Sequence, residues 1–156
     1  MRREPLFIRF ANNLINEKQI IESFLVENKD EKSKDIAEET LTNPPDLFIF
    51  KRDFKNLLTD IIDNGINKEA INYIDSYMKP SLEEILDTKN GDYRYVILKI
   101  KEAPWVEAIL CYNLTLYIKA YGLKEIKQCP VCSKFFTTNG KYAKYCGDIC
   151  KKQDGK

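Results

Sequence analysis

Cys129-Pro130-Val131-Cys132 and, thirteen residues later, Cys146-Gly147-Asp148-Ile149-Cys150 are the segments on which the reading of this chain turns. Two cysteines separated by two residues in a tight turn can present both sulfurs to one ion. In the second pair the spacing is i, i+4, so a helix opening at Gly147 puts Cys146 and Cys150 on one face of its first turn. Four thiolates at about 2.3 Å complete a tetrahedral site, and zinc is the ion expected there. Between the pairs, Lys134 to Thr138 reads as a strand, Asn139-Gly140 as a hairpin turn and Lys141 to Tyr145 as the returning strand. Knuckle, hairpin and a helix carrying the last ligands is the order of a treble-clef-like finger.

Other uses of these cysteines fit less well. Two disulfides would suit an extracellular protein, but they would leave over a fifth cysteine, Cys111. A redox CxxC needs a thioredoxin-like βαβ context that the flanking sequence does not offer. An iron–sulfur cluster is the other cofactor four cysteines can hold, although short loops and a hairpin favour a single small ion. Four cysteine ligands imply a closed, structural site with no open position for catalysis.

The composition of the whole chain narrows the functional classes. The 156 residues contain no histidine, which removes every mechanism built on an imidazole base and every His-ligated metal. Asp60, Asp63, Asp75, Glu83 and Glu84 fall on predicted helix surfaces with no phosphate loop or nucleophile motif beside them. The protein is therefore not expected to be an enzyme. The hydrophobic fraction of 44% suits a globular core, and no apolar run approaches the about 20 residues of a membrane span. The opening segment is too short and charged for a secretory signal, so no membrane association and a cytoplasmic location are expected.

Net charge is +1, but from Leu123 onward eight lysines face three carboxylates, a surplus of +5, which leaves −4 for the first 122 residues. A basic tail of this kind suits an anionic partner. Lys134, Lys141, Lys144, Lys151 and Lys152 are the candidate nucleic-acid contacts, positioning phosphates more than reading bases. Tyr142 or Tyr145 could stack on a base.

The chain before the finger reads as mostly helical. Leu6 to Phe10 is expected to be a short strand or an extended lead-in to the next helix. Ile15 to Leu25 carries a helical period. Glu27 to Thr42 is a charged surface loop or a poorly packed helix. Phe50 to Ile62 forms a helix ended by Asn64-Gly65, and Ala70 to Met78 forms another before Pro80. Leu82 to Leu86 is a short helical turn and Tyr93 to Ile100 a strand. Pro104 opens a long helix, apolar on most sides, that Gly122 stops; with Trp105 it should lie at the centre of the core, and Cys111 within it reads as a buried structural thiol. The expected fold is thus α+β: a mostly helical body with a few short strands over residues 1–122, and a four-cysteine finger over 123–156.

From about Leu47 to Gln153, and most specifically from Trp105 onward, the chain resembles bacterial proteins that join an ABATE-type N-terminal domain to a C-terminal CGNR-type zinc finger. The resemblance rests on the long apolar helix, Gly122-Leu123, Ile126-Lys127-Gln128-Cys129-Pro130-Val131-Cys132, Phe135-Phe136, Tyr145-Cys146 and Cys150. It implies zinc held by Cys129, Cys132, Cys146 and Cys150, DNA binding through the finger and a role as a stress-related transcription regulator. The sequence departs from the family where Cys150 is followed by Lys151-Lys152-Gln153 rather than Gly-Asn-Arg, and where Lys141 and Lys144 stand in place of arginines.

Two functions follow as expectations. One is a zinc-binding transcription regulator that binds nucleic acid, DNA first, through the lysine-rich finger. The other is a zinc-stapled structural or protein-interaction module without nucleic-acid binding. In either, the body is left with ligand sensing or homodimerisation as its roles.

Overall fold

The computed structural model describes residues 4–27, 46–77, 105–138 and 143–154, together with positions 34, 35, 38, 39 and 42, which are helical and exposed. The expected turn at Leu82 to Leu86 and strand at Tyr93 to Ile100 lie outside the described residues, as does most of the charged segment after Glu27. The described chain is mostly helical with one two-stranded antiparallel sheet, an α+β arrangement.

Leu6–Ala11 is a helix, α1, and not the strand its apolar run suggested. A short continuous apolar stretch has no period to separate helix from strand, so tertiary burial decides. Here Leu6, Phe7, Ile8, Phe10 and Ala11 are all buried, which a helix sunk between two others can satisfy. The helix stops at Asn12. Asn13 adopts a left-handed φ of 63°, and the amides of Leu14 and Asn13 return to the carbonyls of Arg9 and Phe10. This is a Schellman turn with asparagine where glycine is usual.

Helix α2, Glu17–Glu27, starts with a capping box. The Gln19 amide donates to Asn16 Oδ1 at 3.0 Å, and the Asn16 amide donates to Gln19 Oε1 at 2.9 Å. Helix α3, Phe48–Asn64, buries Phe50, Phe54, Leu57, Leu58 and Ile61 and ends at Gly65, whose φ of 78° suits a residue without a side chain. Helix α4, Lys68–Asp75, is capped by Asn67, whose side chain accepts from the Ala70 amide at 2.9 Å.

Helix α5, Trp105–Tyr121, is the central element. Its Val106, Ala108, Ile109, Leu110, Cys111, Leu114, Tyr117 and Ile118 are buried around most of its circumference, as the sequence led one to expect. Glu107 is buried on the same helix, and desolvation raises its carboxyl above the usual range. α5 packs on α1 and α2, α1 packs on α3, and α3 packs on α4. The rings of Phe10, Phe50 and Phe54 meet at the α1–α3 contact.

After Gly122 a single 3-10 turn, Leu123–Glu125, leads into strand β1, Ile126–Gln128. Its partner is β2, Phe135–Thr137, with Ile126 opposite Thr137 and Gln128 opposite Phe135. The strand at Phe135 is thus present, but the pairing differs from expectation. It pairs with the segment before the first cysteines, and Ala143 to Tyr145 are not in a strand. Asn139 to Tyr142 lie outside the described residues. The reason is burial: Ile126 and Phe135 join the same hydrophobic cluster as the helices, anchoring β1 and β2 side by side on the body. Helix α6, Asp148–Asp154, closes the described chain. Among the described residues, no helix is long and apolar enough to cross a membrane.

Candidate metal centre

The first pair of cysteines sits at the tip of the β1–β2 hairpin. The Cys129 amide donates to the Lys134 carbonyl at 2.8 Å and the Ser133 amide to the Cys129 carbonyl at 2.9 Å, folding residues 129–134 into a knuckle. The fold-back requires a left-handed residue, and Ser133 supplies it with φ 66°. The second pair straddles the start of α6. The Gly147 carbonyl accepts from the Lys151 amide, so the helix begins there, with Cys146 just before it and Cys150 in its first turn. Cys150 is buried and Cys146 exposed.

These two half-sites converge. The sulfurs of Cys129, Cys132, Cys146 and Cys150 all lie within 4.8 Å of one another. Cys132 Sγ is 3.4 Å from Cys146 Sγ, and Cys146 Sγ is 3.6 Å from Cys150 Sγ. A disulfide needs about 2.05 Å, so these are not bonded pairs. A tetrahedron of thiolates about 2.3 Å from a central ion has edges of about 3.8 Å, close to the observed spacing. The donor set therefore fits one tetrahedral metal ion. The fifth cysteine, Cys111, is buried in α5 and takes no part in the cluster.

The backbone prepares one of the four for ionisation. Burial raises the Cys129 thiol, but amides of Cys132, Cys146 and Val131 point at its sulfur and outweigh that effect, lowering it to about 6. Cys146 is pushed up to about 12, by desolvation first and then by the thiols of Cys132, Cys150 and Cys129 around it. Cys150 is also raised: its hydrogen bond with Cys146 favours the thiolate, but desolvation and the neighbouring Cys132 and Cys129 prevail. Thiols this close cannot all ionise unless a cation compensates them.

Two side chains outside the cysteines, Asn12 and Thr59, fix the hairpin to the body. The Asn12 side-chain amide donates to the Phe135 carbonyl at 2.7 Å, and Asn12 Oδ1 accepts from the Phe135 amide at 2.9 Å. The Thr59 hydroxyl on α3 donates to Gln128 Oε1 at 3.2 Å. Thr138 closes the base of the hairpin, its amide donating to the Glu125 carbonyl at 2.9 Å and its hydroxyl to the Glu125 carboxylate. None of these partners carries a motif, and Asn12 and Phe135 are 123 residues apart, so only the fold reveals them.

Of the lysines proposed to meet nucleic acid, Lys134, Lys144, Lys151 and Lys152 are exposed, and Lys141 lies outside the described residues. The Lys144 ammonium rests over the Tyr145 ring, 5.5 Å from its centroid. Within α6, Asp148 and Asp154 balance Lys151 and Lys152, and the Tyr145 hydroxyl donates to Asp154. Ile149, 75% exposed, stands between these charges.

Comparison of the chain with protein-family models, with curated proteins and with solved structures finds no match to any of them.

Proposed function

We propose that the protein is a zinc-stapled helical module in which Cys129, Cys132, Cys146 and Cys150 hold one structural zinc ion and the finger serves as a rigid docking element of the body. The observation that carries this reading is the convergence of four sulfurs to within 4.8 Å at near-tetrahedral spacing. An all-thiolate set favours zinc among common ions and leaves no ligand position for a substrate. When bound, the ion supplies a cross-link between the knuckle and α6. The chain's own residues do the rest: the amides at Cys129 hold its thiolate, and Asn12, Phe135 and Ile126 hold the knuckle against α1 and α3. Elemental analysis of protein purified without added metal should give one zinc per chain, lost together with the fold of α6 on chelation. Iron in its place, or no metal, would count against zinc.

A second reading is favoured by the exposure of Lys134, Lys144, Lys151 and Lys152 around the cluster. On it, the finger meets the phosphates of nucleic acid and the protein acts as a transcription regulator, as the ABATE/CGNR resemblance implies. Fluorescence anisotropy of mixed-sequence duplex DNA at two salt concentrations separates the two. Binding that falls steeply with salt and vanishes on chelation supports the regulator. Absence of binding at low salt supports the docking module.

A further inference from the structure

The body carries a cleft that none of the cysteines lines. It lies between the α1–α2 turn and the first half of α3 and has a volume of about 580 Å³, within the range of small-molecule sites. Three cations line it, Lys51, Arg52 and Lys55, against two carboxylates, Glu17 and Asp46. This concentration stands out in a stretch, residues 1–122, whose net charge is −4. The cations are also little compensated. The Lys51 ammonium lies over the Phe10 ring, 4.9 Å from its centroid, and among the described residues neither Lys51 nor Lys55 forms an ion pair. Arg52 engages Asp53 through Nε at 3.3 Å, which leaves its terminal nitrogens free to donate. Asp46 is partly occupied, its Oδ1 accepting from the Phe48 amide at 3.0 Å.

The cleft has an apolar side as well. Leu47 in its lining is buried, while Phe48, 73% exposed, presents a ring to solvent. Its walls are held in place from behind. Asn13 sits in the Schellman turn next to Asn12, which grips β2, and Lys55 is one helical turn before Thr59, which bonds Gln128. A site whose walls are fixed in advance loses less entropy when a ligand binds.

We propose that this cleft binds a small organic anion, its carboxylate or phosphate held by Lys51, Arg52 and Lys55 and its apolar part laid against Phe48. Neither the metal nor the finger contributes a residue to this cleft. Phenyl phosphate, titrated into the full-length protein and followed by amide chemical shifts, is the direct probe. Saturable binding should perturb Asn13, Phe48 and Lys55. The double variant Lys51→Gln/Lys55→Gln should bind about tenfold or more weakly, as expected for lost charge-assisted hydrogen bonds, whereas Lys124→Gln should change nothing. Phe48→Ala should weaken phenyl phosphate several-fold but leave inorganic phosphate as it was. Shifts that never saturate, that centre on the finger lysines, or that persist unchanged in the double variant would overturn the proposal. Equal affinity for inorganic and phenyl phosphate would overturn the role of Phe48.

Discussion

The two halves of the cysteine cluster are held in different ways. Cys129 and Cys132 stand on a hairpin that shares the hydrophobic core: Ile126 and Phe135 are 1% and 2% exposed, β1 packs on α3, and β2 packs on α1 and is gripped by Asn12. Cys146 stands just before, and Cys150 in the first turn of, a seven-residue helix that makes no extensive contact with any other described element. Apart from buried Cys150, that helix is exposed along its whole length. The lesson is that one finger contains two kinds of stability. The hairpin is folded by the body, while α6, too short to persist as an isolated helix, is folded by the cluster. Metal removal should therefore divide the finger instead of dissolving it.

Five substitutions test that division, in decreasing order of effect. Cys150→Ser should release the metal, with the loss of most of a binding free energy that is on the order of 10 kcal/mol for structural zinc. Helical signal from α6 should vanish while the β1–β2 amides stay protected; collapse of the body's helices as well would erase the distinction. Phe135→Ala, in contrast, should cost about 3–5 kcal/mol in the urea unfolding of the whole body, because it empties a filled core position. A loss confined to the finger would show that the hairpin is not part of the core.

Asn12→Ala removes two hydrogen bonds to the Phe135 backbone and leaves a part-buried amide and carbonyl without partners. The expected cost is about 1–3 kcal/mol, measured by chemical denaturation with metal bound. Ser133→Gly should act in the opposite direction. It relieves a left-handed residue in the knuckle, and a gain of about 1 kcal/mol in stability is expected, with metal content unchanged. Cys111→Ser, outside the cluster, should leave the metal at one per chain.

Much of this was legible in the sequence where a local rule sufficed. The cysteine spacings anticipated the converging sulfurs, and Gly65 and Gly122 marked helix ends that their positive φ angles bear out. The failures came where a local signal competed with burial. Asn139-Gly140 is a strong hairpin signal, and it drew the partner of Phe135 to Lys141 to Tyr145, but Ile126 is the residue that shares the core with Phe135. Leu6 to Phe10 looked extended because five apolar or bulky residues in a row carry no period. The Asn12 grip was invisible because nothing in a lone asparagine announces a backbone partner at the other end of the chain.

Hydrogen exchange of the metal-loaded protein, before and after a strong chelator, reads the two halves of the finger separately. On chelation the amides of Thr138 and of β1 and β2 should remain protected while those of Lys151 and its neighbours in α6 exchange freely. Simultaneous loss in the hairpin and α6, or retained protection of α6 without metal, would contradict this division of the finger.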